Sequence, residues 1–256
     1  MTDWKITREN KPKIDNPVLI EGLPGLGNVG KIATDLLVDQ LEAEKIADFF
    51  SYNFPNSVFV SENNLIEMPK IELYHKKISK KHFLFLVGDV QPTSEEASFE
   101  FTEKILDMME DYGCKEIITL GGIGINEDPD EPEVYCTGND KKLVEELSTL
   151  DANEELYGVV GPIVGVSGLL LGMAKKRNIK AASLLAETYA HPMYVGLRGA
   201  KETLQILNKR YKFGISMEEI NKEIDEYEKE LNSGAKKKHK AISQLQLGQE
   251  TTNYIG

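Results

Sequence analysis

The chain has 256 residues, of which 30 are Lys or Arg and 42 are Asp or Glu, so its formal net charge is −12. The length allows one large α/β domain or a domain with an appendage, and the acidic balance argues against nucleic acid as a partner, because that contact needs Lys and Arg against phosphates. No apolar run approaches the roughly 18 residues of a membrane span, and residues 1–5 lack a signal pattern, so we expect a soluble, cytoplasmic protein without a membrane partner.

The first predicted elements surround a glycine-rich turn, GLPGLGNVGK (residues 22–31). The turn follows the apolar run PVLI (residues 17–20), which we predict as a strand, and it opens a helix that ends near Glu42. Glycines there allow positive φ angles and leave amide groups uncovered at a helix N-terminus, where an anion is favoured. The helix should pack on a sheet through an apolar stripe of Val29, Ile32, Ala33, Leu36, Leu37 and Leu41.

Two nucleotide-binding motifs nearly match this turn. A GxGxxG spacing within it fits a dinucleotide-binding turn, but the next predicted strand, residues 45–52, does not end on the acid that would hold a ribose. The spacing from Gly25 to Lys31 also fits a P-loop, but Ile32 stands where Ser or Thr would hold magnesium. A tight turn that packs the helix on the strand is therefore the favoured interpretation, with nucleotide binding as the alternative.

The middle of the chain alternates predicted strands and helices. Short strands are expected at residues 45–52, 58–62, 65–68 and 70–75. A basic turn at residues 76–81 precedes HFLFLV (residues 82–87), which is apolar on both faces and therefore typical of a central strand covered by helices on both sides. Thr93 and Glu96 fit a capping box for a helix that Gly113 ends.

A second glycine-rich turn is predicted at residues 121–124, directly after a strand at residues 115–120. The acidic segment 126–133 is expected to be an exposed loop. The remaining elements are a strand at residues 134–137, a helix from Asn139, a helix after the glycine-rich residues 158–172, a strand at residues 181–187 and a helix that Gly214 follows.

The C-terminal region is predicted to be a helical extension that opens at Ser216. Its apolar positions recur at intervals of three and four residues and form a seam of Met217, Ile220, Ile224, Tyr227 and Leu231. A seam of two heptads is too short to be stable alone in water, so it needs its own domain or another subunit, and we expect it to mediate self-association. We divide the chain into an α/β domain, residues 1–214, and an extension with a mobile tail, residues 215–256.

A candidate ligand rim lies at the ends of the predicted strands, because ligands of open parallel α/β sheets bind outside the strand carboxyl ends. The rim comprises Gly25, Gly27, Gly30, Asp89, Gly121, Gly122 and Glu187. An enzyme could use the glycines for a phosphate or ring substrate and Asp89 or Glu187 as acid, base or hydroxyl anchor. Strand ends carry the same residues for turn formation, and no nucleophile–base pattern is present, so no catalytic residue is assigned.

Cysteine and histidine give no sign of a metal site. Cys114 and Cys136 fit neither a disulfide framework nor a zinc-ligand spacing, and we interpret them as reduced thiols. The four histidines are scattered and form no HExxH pair. We therefore expect neither a metal nor a cofactor.

Five segments, taken in order, carry a resemblance to a known family. They are LIEGLPGLGNVG (residues 19–30), GDVQP (88–92), LGG (120–122), GVSGLL (165–170) and LAET (185–188). With these motifs the chain resembles the PAC2 family of proteasome assembly chaperones and their archaeal homologues over roughly residues 15–214. The ordered set is much more specific than any one glycine motif.

The resemblance implies a three-layer α/β fold with a mostly parallel sheet, like that of nucleoside phosphorylases, and a C-terminal helical extension. It also implies a non-enzymatic chaperone that binds proteasome α-subunits and forms homo-oligomers. The rival functions are a nucleoside- or nucleotide-binding protein or enzyme that uses the ligand rim, and a scaffold for an unrelated partner.

The C-terminal tripeptide bears on the expected partner. Some members of the family end in a hydrophobic-Tyr-any tripeptide that docks between proteasome α-subunits, whereas this sequence ends in Tyr254, Ile255 and Gly256, with Tyr shifted by one place. The shifted tripeptide could still be captured through its aromatic ring and carboxylate. A frayed end without function is the alternative.

Overall fold

A computed structural model describes residues 4–9, 12–61, 63–158, 161–192 and 194–233 of the chain. The side chains of Tyr227 and Leu231 lie outside the described residues, as do Tyr254, Ile255 and Gly256. Within this part of the chain, none of the helices combines the length and apolar character needed to cross a membrane.

The described residues form ten strands and six α-helices, with a short 3₁₀ helix, Leu26–Asn28, after the second strand. The strands are β1 Lys5–Arg8, β2 Val18–Gly22, β3 Glu44–Phe50, β4 Phe59–Val60, β5 Ile66–Glu67, β6 Ile71–Ile78, β7 Lys81–Gly88, β8 Glu116–Ile125, β9 Val134–Gly138 and β10 Lys180–Tyr189. The helices are α1 Val29–Gln40, α2 Glu95–Asp111, α3 Lys141–Ser148, α4 Gly165–Lys176, α5 Leu197–Tyr211 and α6 Met217–Ser233.

Eight strands form one mixed sheet in the order β1-β3-β6-β7-β2-β8-β10-β9, and β4 pairs with β5 separately. The neighbours β7, β2, β8 and β10 are parallel, and the pairings toward both edges are antiparallel. The α/β class with helices on both sides is confirmed, but the expected mostly parallel sheet is parallel only at its centre. One reason is local, because Ser79 and Lys80 join β6 to β7 as a hairpin, which requires antiparallel pairing. The likeness to nucleoside phosphorylases stays a prediction.

Alternating side chains of the central strands contribute to two hydrophobic cores, one on each face of the sheet. Ile118 of β8 packs in the core covered by α1, α3, α5 and α6, whereas its neighbour Ile117 packs in the core under α2 and α4. Strand β7 is buried on both faces, as its apolar pattern predicts. The four parallel strands therefore have helices on both sides, and their carboxyl ends meet at one edge of the sheet.

Two predicted local features differ in the structure. The glycine turn expected at residues 121–124 belongs to β8, because β8 continues through Ile125 and pairs with β10 along its whole length. The capping box expected from Thr93 is wrong by one residue, since Ser94 is the N-cap of α2 and its hydroxyl accepts a hydrogen bond from Ala97 N at 3.1 Å. Both differences lie next to the groove described below.

Helix α6 packs on its own α/β domain through the first half of its apolar seam. Ile220 and Ile224 are 0% and 4% exposed, and Met217 packs against the same core. That core also contains Leu37 of α1 and Leu204 of α5. Ile220 and Ile224 are therefore buried and Met217 is partly buried within one chain, and the division of the chain after residue 214 stays a prediction.

Candidate functional site

A groove of about 980 Å³ opens at the carboxyl ends of β2, β8 and β10. Strands β2 and β8 pair only as far as Glu21 and Thr119. Beyond that pair, β2 turns into the 3₁₀ helix while β8 continues beside β10, and the starts of α2 and α4 form the walls. We call this the carboxyl-end groove, and its described lining includes Gly25, Leu26, Phe99, Gly121, Gly122 and Ser167.

Three residues of the predicted ligand rim line the carboxyl-end groove, namely Gly25, Gly121 and Gly122. A Cβ atom at Gly25 would meet nothing within 4 Å, so the groove is open on this side. At Gly122, a Cβ atom would lie 2.4 Å from the carbonyl oxygen of Leu26. The lack of a side chain at Gly122 therefore lets the glycine-rich turn lie directly against β8.

Gly27 and Gly30 serve packing and do not line the described groove. Gly27 has a φ of 58°, and a Cβ atom there would lie 2.2 Å from Thr188 Oγ1. A Cβ atom at Gly30 would lie 2.3 Å from the carbonyl oxygen of Leu120 in β8. Both positions need glycine because the turn and α1 approach the sheet closely, which agrees with the interpretation of the motif as a tight packing turn.

Lys31, at the position of a P-loop lysine, forms ion pairs with two carboxylates. Its Nζ atom lies 2.9 Å from Asp35 Oδ2 and 3.5 Å from Asp89 Oδ1, and its side chain is 5% exposed. Burial lowers the pKa of Lys31, but the two carboxylates outweigh burial and raise this pKa above its usual value. Burial raises the pKa of Asp35 to about 6, although Lys31 opposes that rise. The ammonium group is thus part of an internal ion cluster.

Two acids of the predicted ligand rim lie away from the groove lining. Asp89 accepts a hydrogen bond from Lys70 N at 3.1 Å in addition to its contact with Lys31. Glu187 Oε2 accepts a hydrogen bond from Glu133 N at 3.0 Å, next to the start of β9. Neither acid is among the described residues that line the groove, and an acid, base or anchoring role for them stays a prediction.

Glu21, which the sequence interpretation missed, is buried beneath the groove. Its side chain is inaccessible to solvent, and its Oε1 atom accepts hydrogen bonds from Leu23 N and from the Ser167 hydroxyl, both at 3.1 Å. Its Oε2 atom has no hydrogen-bond partner among the described residues. Burial raises the pKa of Glu21 to about 7, although both hydrogen bonds lower it. An acid inside the apolar strand VLIEG was the available signal in the sequence.

Gln91, also missed, joins two segments that line the groove. Its Nε2 atom donates to Pro24 O at 2.6 Å, and its Oε1 atom accepts from Val166 N at 3.1 Å. One side chain therefore connects the glycine-rich turn to the N-terminus of α4. The segment GDVQP contributed to the family resemblance, but these contacts span 67 and 75 residues of sequence and depend on the folded topology.

A family model described as the PAC2 family matches residues 19–234 of this chain. An uncharacterized protein of Methanocaldococcus jannaschii is 31% identical over 257 residues, which cover 98% of this chain and 97% of that protein. The sequence similarity therefore extends over nearly the full length of both proteins.

Two solved structures from Pyrococcus furiosus are also similar. PbaB, described as an archaeal proteasome activator, is 33% identical with a TM-score of 0.81, covering 91% of this chain and 99% of PbaB. PbaA, described as an archaeal homolog of proteasome-assembly chaperone, is 26% identical with a TM-score of 0.73, covering 90% of this chain and 95% of PbaA. The residues that match the family model include the strands and helices that form the groove.

Proposed function

This chain belongs to the PAC2 family, and from that membership we propose that it is a non-enzymatic, cytoplasmic protein of the proteasome-assembly chaperone type that binds proteasome α-subunits. One observation carries the proposal. The chain is similar over nine-tenths of its length to two solved proteins, one described as a proteasome activator and the other as a homolog of a proteasome-assembly chaperone.

Exposed apolar side chains around the β4–β5 pair support a role in protein binding. This small hairpin lies outside the main sheet, and the exposed fractions of the side chains there range from 46% to 63% for Val58, Val60, Leu65, Ile66 and Met68. A contiguous set of exposed apolar residues is typical of a protein–protein contact surface.

We propose that the C-terminal tripeptide contributes to α-subunit binding. Tyr254, Ile255 and Gly256 follow α6, whose last described residue is Ser233. An aromatic ring is a suitable anchor for a pocket on a partner. In this proposal Tyr254 supplies most of the affinity of the tail.

Homo-oligomer formation is proposed for the second half of the α6 seam. Met217, Ile220 and Ile224 pack on their own domain, so they have a partner within the chain. The proposal therefore assigns contact between subunits to Tyr227 and Leu231, the two apolar positions that continue the seam.

The experiment is a pulldown of separately expressed proteasome α-subunits at physiological salt. It compares the full chain, a chain that ends at Thr252, and the variant Tyr254→Ala, with Tyr157→Ala as the matched control because Tyr157 is fully exposed on the α/β domain. We expect the full chain and the control to retain α-subunits. Loss of retention in the truncated chain and in Tyr254→Ala would assign the contact to the tail.

Two other outcomes are informative. Retention of α-subunits by all four proteins would place the contact on the folded domain, with the β4–β5 surface as the next region to substitute. Absence of retention by the full chain would overturn the proposal that it binds α-subunits.

A further inference from the structure

The carboxyl-end groove lies at the topological switch point of the sheet. From β2 the chain passes through α1 to β3, on the β7 side, whereas from β8 it continues to β9 and β10, on the opposite side. Connections that depart in opposite directions leave a crevice between the carboxyl ends of two neighbouring parallel strands, and ligands of open α/β sheets bind in that crevice. The groove occupies this position between β2 and β8.

The lining of the groove favours an uncharged ligand. None of the described lining residues is Lys, Arg or His, and Glu95 is the single acid among them. A phosphate or carboxylate would therefore meet no cationic side chain among these residues. Lys31 lines a different pocket, where Asp35 and Asp89 hold it. Ligand binding in this groove would therefore rest on apolar contact and a few hydrogen bonds.

The shape of the groove favours a flat ring. Gly121 lines its floor without a side chain, and a Cβ atom there would have one neighbour within 4 Å, Leu185 Cδ2 at 3.0 Å, so a ring can approach the backbone of β8 closely at this point. The apolar side chains of Leu26 and Phe99, which also line the groove, are 55% and 51% exposed. A planar molecule that contacts them would remove this apolar surface from water.

A buried polar layer lies directly beneath the groove. Glu21 is opposite Thr119, which is opposite Ser183 in the next strand, and the Thr119 hydroxyl donates to Ser183 Oγ at 3.0 Å. All three side chains are inaccessible to solvent. Burying polar groups in a sheet interior lowers stability relative to an apolar layer. We therefore expect this layer to have a role in function.

Ser167 connects that layer to the groove. It lines the groove and is partly exposed, and its hydroxyl donates to Glu21 Oε1 at 3.1 Å. A hydroxyl whose hydrogen is already committed can act toward a further partner only as an acceptor. A ligand in the groove therefore meets an acceptor at Ser167, and the matching group on the ligand is an N–H or O–H donor.

We propose that the carboxyl-end groove binds a small, uncharged, planar heterocycle of nucleobase or nucleoside size, with a ring N–H donating to Ser167 Oγ and Glu21 acting as the residue that positions Ser167. This activity is independent of any contact with the proteasome. It differs from nucleotide binding because the groove has no cation for a phosphate among its described lining residues.

Ligand-observed NMR and calorimetry on the full chain test the ligand class. The probes are uracil, uridine and uridine monophosphate, the same series built on hypoxanthine, and the fully N-methylated derivative of each base, which lacks ring N–H donors. We expect at least one base or nucleoside to bind, its N-methylated form to bind at least about tenfold more weakly, and the monophosphate to bind no more tightly than the nucleoside. Absence of binding by every probe at millimolar concentration, or tightest binding by a monophosphate, would overturn the proposal.

Two groove variants test the location. Ser167→Ala should weaken the base at least about tenfold and abolish the preference over its N-methylated form, whereas Ser148→Ala, on α3, should change neither. Gly121→Leu should abolish binding by filling the floor, whereas Gly172→Leu should not, because a side chain at Gly172 enters open space. If both groove variants bind as the wild type does, the proposed site is wrong.

The positioning role of Glu21 has its own test. In Glu21→Gln the amide oxygen can still accept from Ser167, so the preference for the base over its N-methylated form should persist. In Glu21→Ala the Ser167 hydroxyl loses its acceptor and is no longer held in place. The ratio of the affinities for the base and for its N-methylated form should therefore decrease. If Glu21→Gln and Glu21→Ala prefer the base over its N-methylated form to the same degree, Glu21 does not position Ser167. The role of Ser167 would then depend on the result for Ser167→Ala alone.

Discussion

The Nε2 atom of His75 lies 2.9 Å from the Nδ1 atom of His82, and the two rings stack between the adjacent strands β6 and β7. Both residues are buried, at 9% and 8% exposure. One of the two facing nitrogens must accept while the other donates, so a second proton between them would repel the first. Burial lowers the pKa of both imidazoles; His82 further lowers that of His75, and Lys77 further lowers that of His82, while Glu44 and Asp15 oppose these shifts.

The histidine pair should make the protein less stable in mild acid. Since the folded-state pKa values lie below the unfolded value of about 6.5, the unfolded chain takes up protons first as the pH falls. The contribution of the pair to the free energy of unfolding is therefore present above about pH 6.5 and lost below it. Urea unfolding of the wild type and of H75Q/H82Q at a series of pH values measures the difference. Equal loss of stability in acid for both proteins would contradict this prediction.

Glu21 should have the opposite pH dependence. Its folded-state pKa of about 7 lies above the unfolded value, so its contribution to stability is present in acid and lost as the pH rises toward about 7. Relative to the wild type, the free energy of unfolding of Glu21→Gln should rise by about 3 kcal/mol between about pH 4 and pH 8. The measured quantity is the free energy of unfolding of Glu21→Gln minus that of the wild type, followed over the pH range. Any effect of the amide on packing is the same at every pH and does not change this trend. A difference that does not vary with pH would refute the prediction.

Lys31 should be a strong determinant of stability. Replacing it by Met leaves Asp35, whose side chain is 13% exposed, without its cation, and we expect the free energy of unfolding to fall by about 3 kcal/mol. The matched control is Lys141→Met, because the Lys141 side chain is 89% exposed and pairs with Glu145 on a helix surface. That control should change stability by less than about 0.5 kcal/mol.

A double substitution checks the cause of the Lys31 effect. Adding Asp35→Leu to Lys31→Met removes the unpaired acid and should restore much of the lost stability. The single variant Asp35→Leu is measured as well. If the double variant loses as much stability as Lys31→Met and Asp35→Leu lose in sum, the unpaired Asp35 charge is not the cause of the Lys31 effect.

The sequence alone predicted the elements whose pattern is local. The apolar stripe of α1 and the two-sided burial of β7 both follow from neighbouring residues. The family resemblance also rested on such local motifs. The glycine turn at Gly30 was interpreted correctly as packing, because both nucleotide motifs lacked one necessary residue.

Contacts between distant segments could not be derived in the same way. Lys31 and Asp89 are separated by 58 residues, and Glu21 and Ser167 by 146. Both contacts require knowledge of the strand order, which places β7 and β8 on either side of β2. The mixed sheet was missed for a related reason, because the direction of a strand depends on its connection rather than on its apolar pattern.

Two glycine substitutions should have opposite effects. Gly30→Ala places a methyl group 2.3 Å from the carbonyl oxygen of Leu120, where α1 crosses β8, so backbone must shift and the free energy of unfolding should fall by about 2 kcal/mol or more. Gly172→Ala lies within α4 and meets nothing within 4 Å, so it should raise stability by about 0.5–1 kcal/mol. Thermal and urea unfolding measure both changes. A neutral Gly30→Ala would show that α1 can move away from the sheet at little cost.

The seam of α6 gives a prediction that separates folding from assembly. Ile220 is inaccessible to solvent within its own domain, so Ile220→Ala should lower the free energy of unfolding by about 3 kcal/mol because it leaves a cavity. It should leave the mass of the folded protein in sedimentation unchanged at a concentration and temperature where the variant remains folded. Lys222→Ala is the control on the same helix, since the Lys222 side chain is 67% exposed, and it should change neither quantity.

The opposite pattern is expected where the seam continues. Tyr227→Ser combined with Leu231→Ser should lower the mass in sedimentation while the urea midpoint of the α/β domain changes little, because in the proposal these positions contact another subunit. If Ile220→Ala instead dissociates an oligomer without lowering stability, the Ile220 side chain is used between subunits and its packing within one chain is not the dominant state in solution. If neither variant changes the mass and the wild type is monomeric, self-association through α6 is excluded.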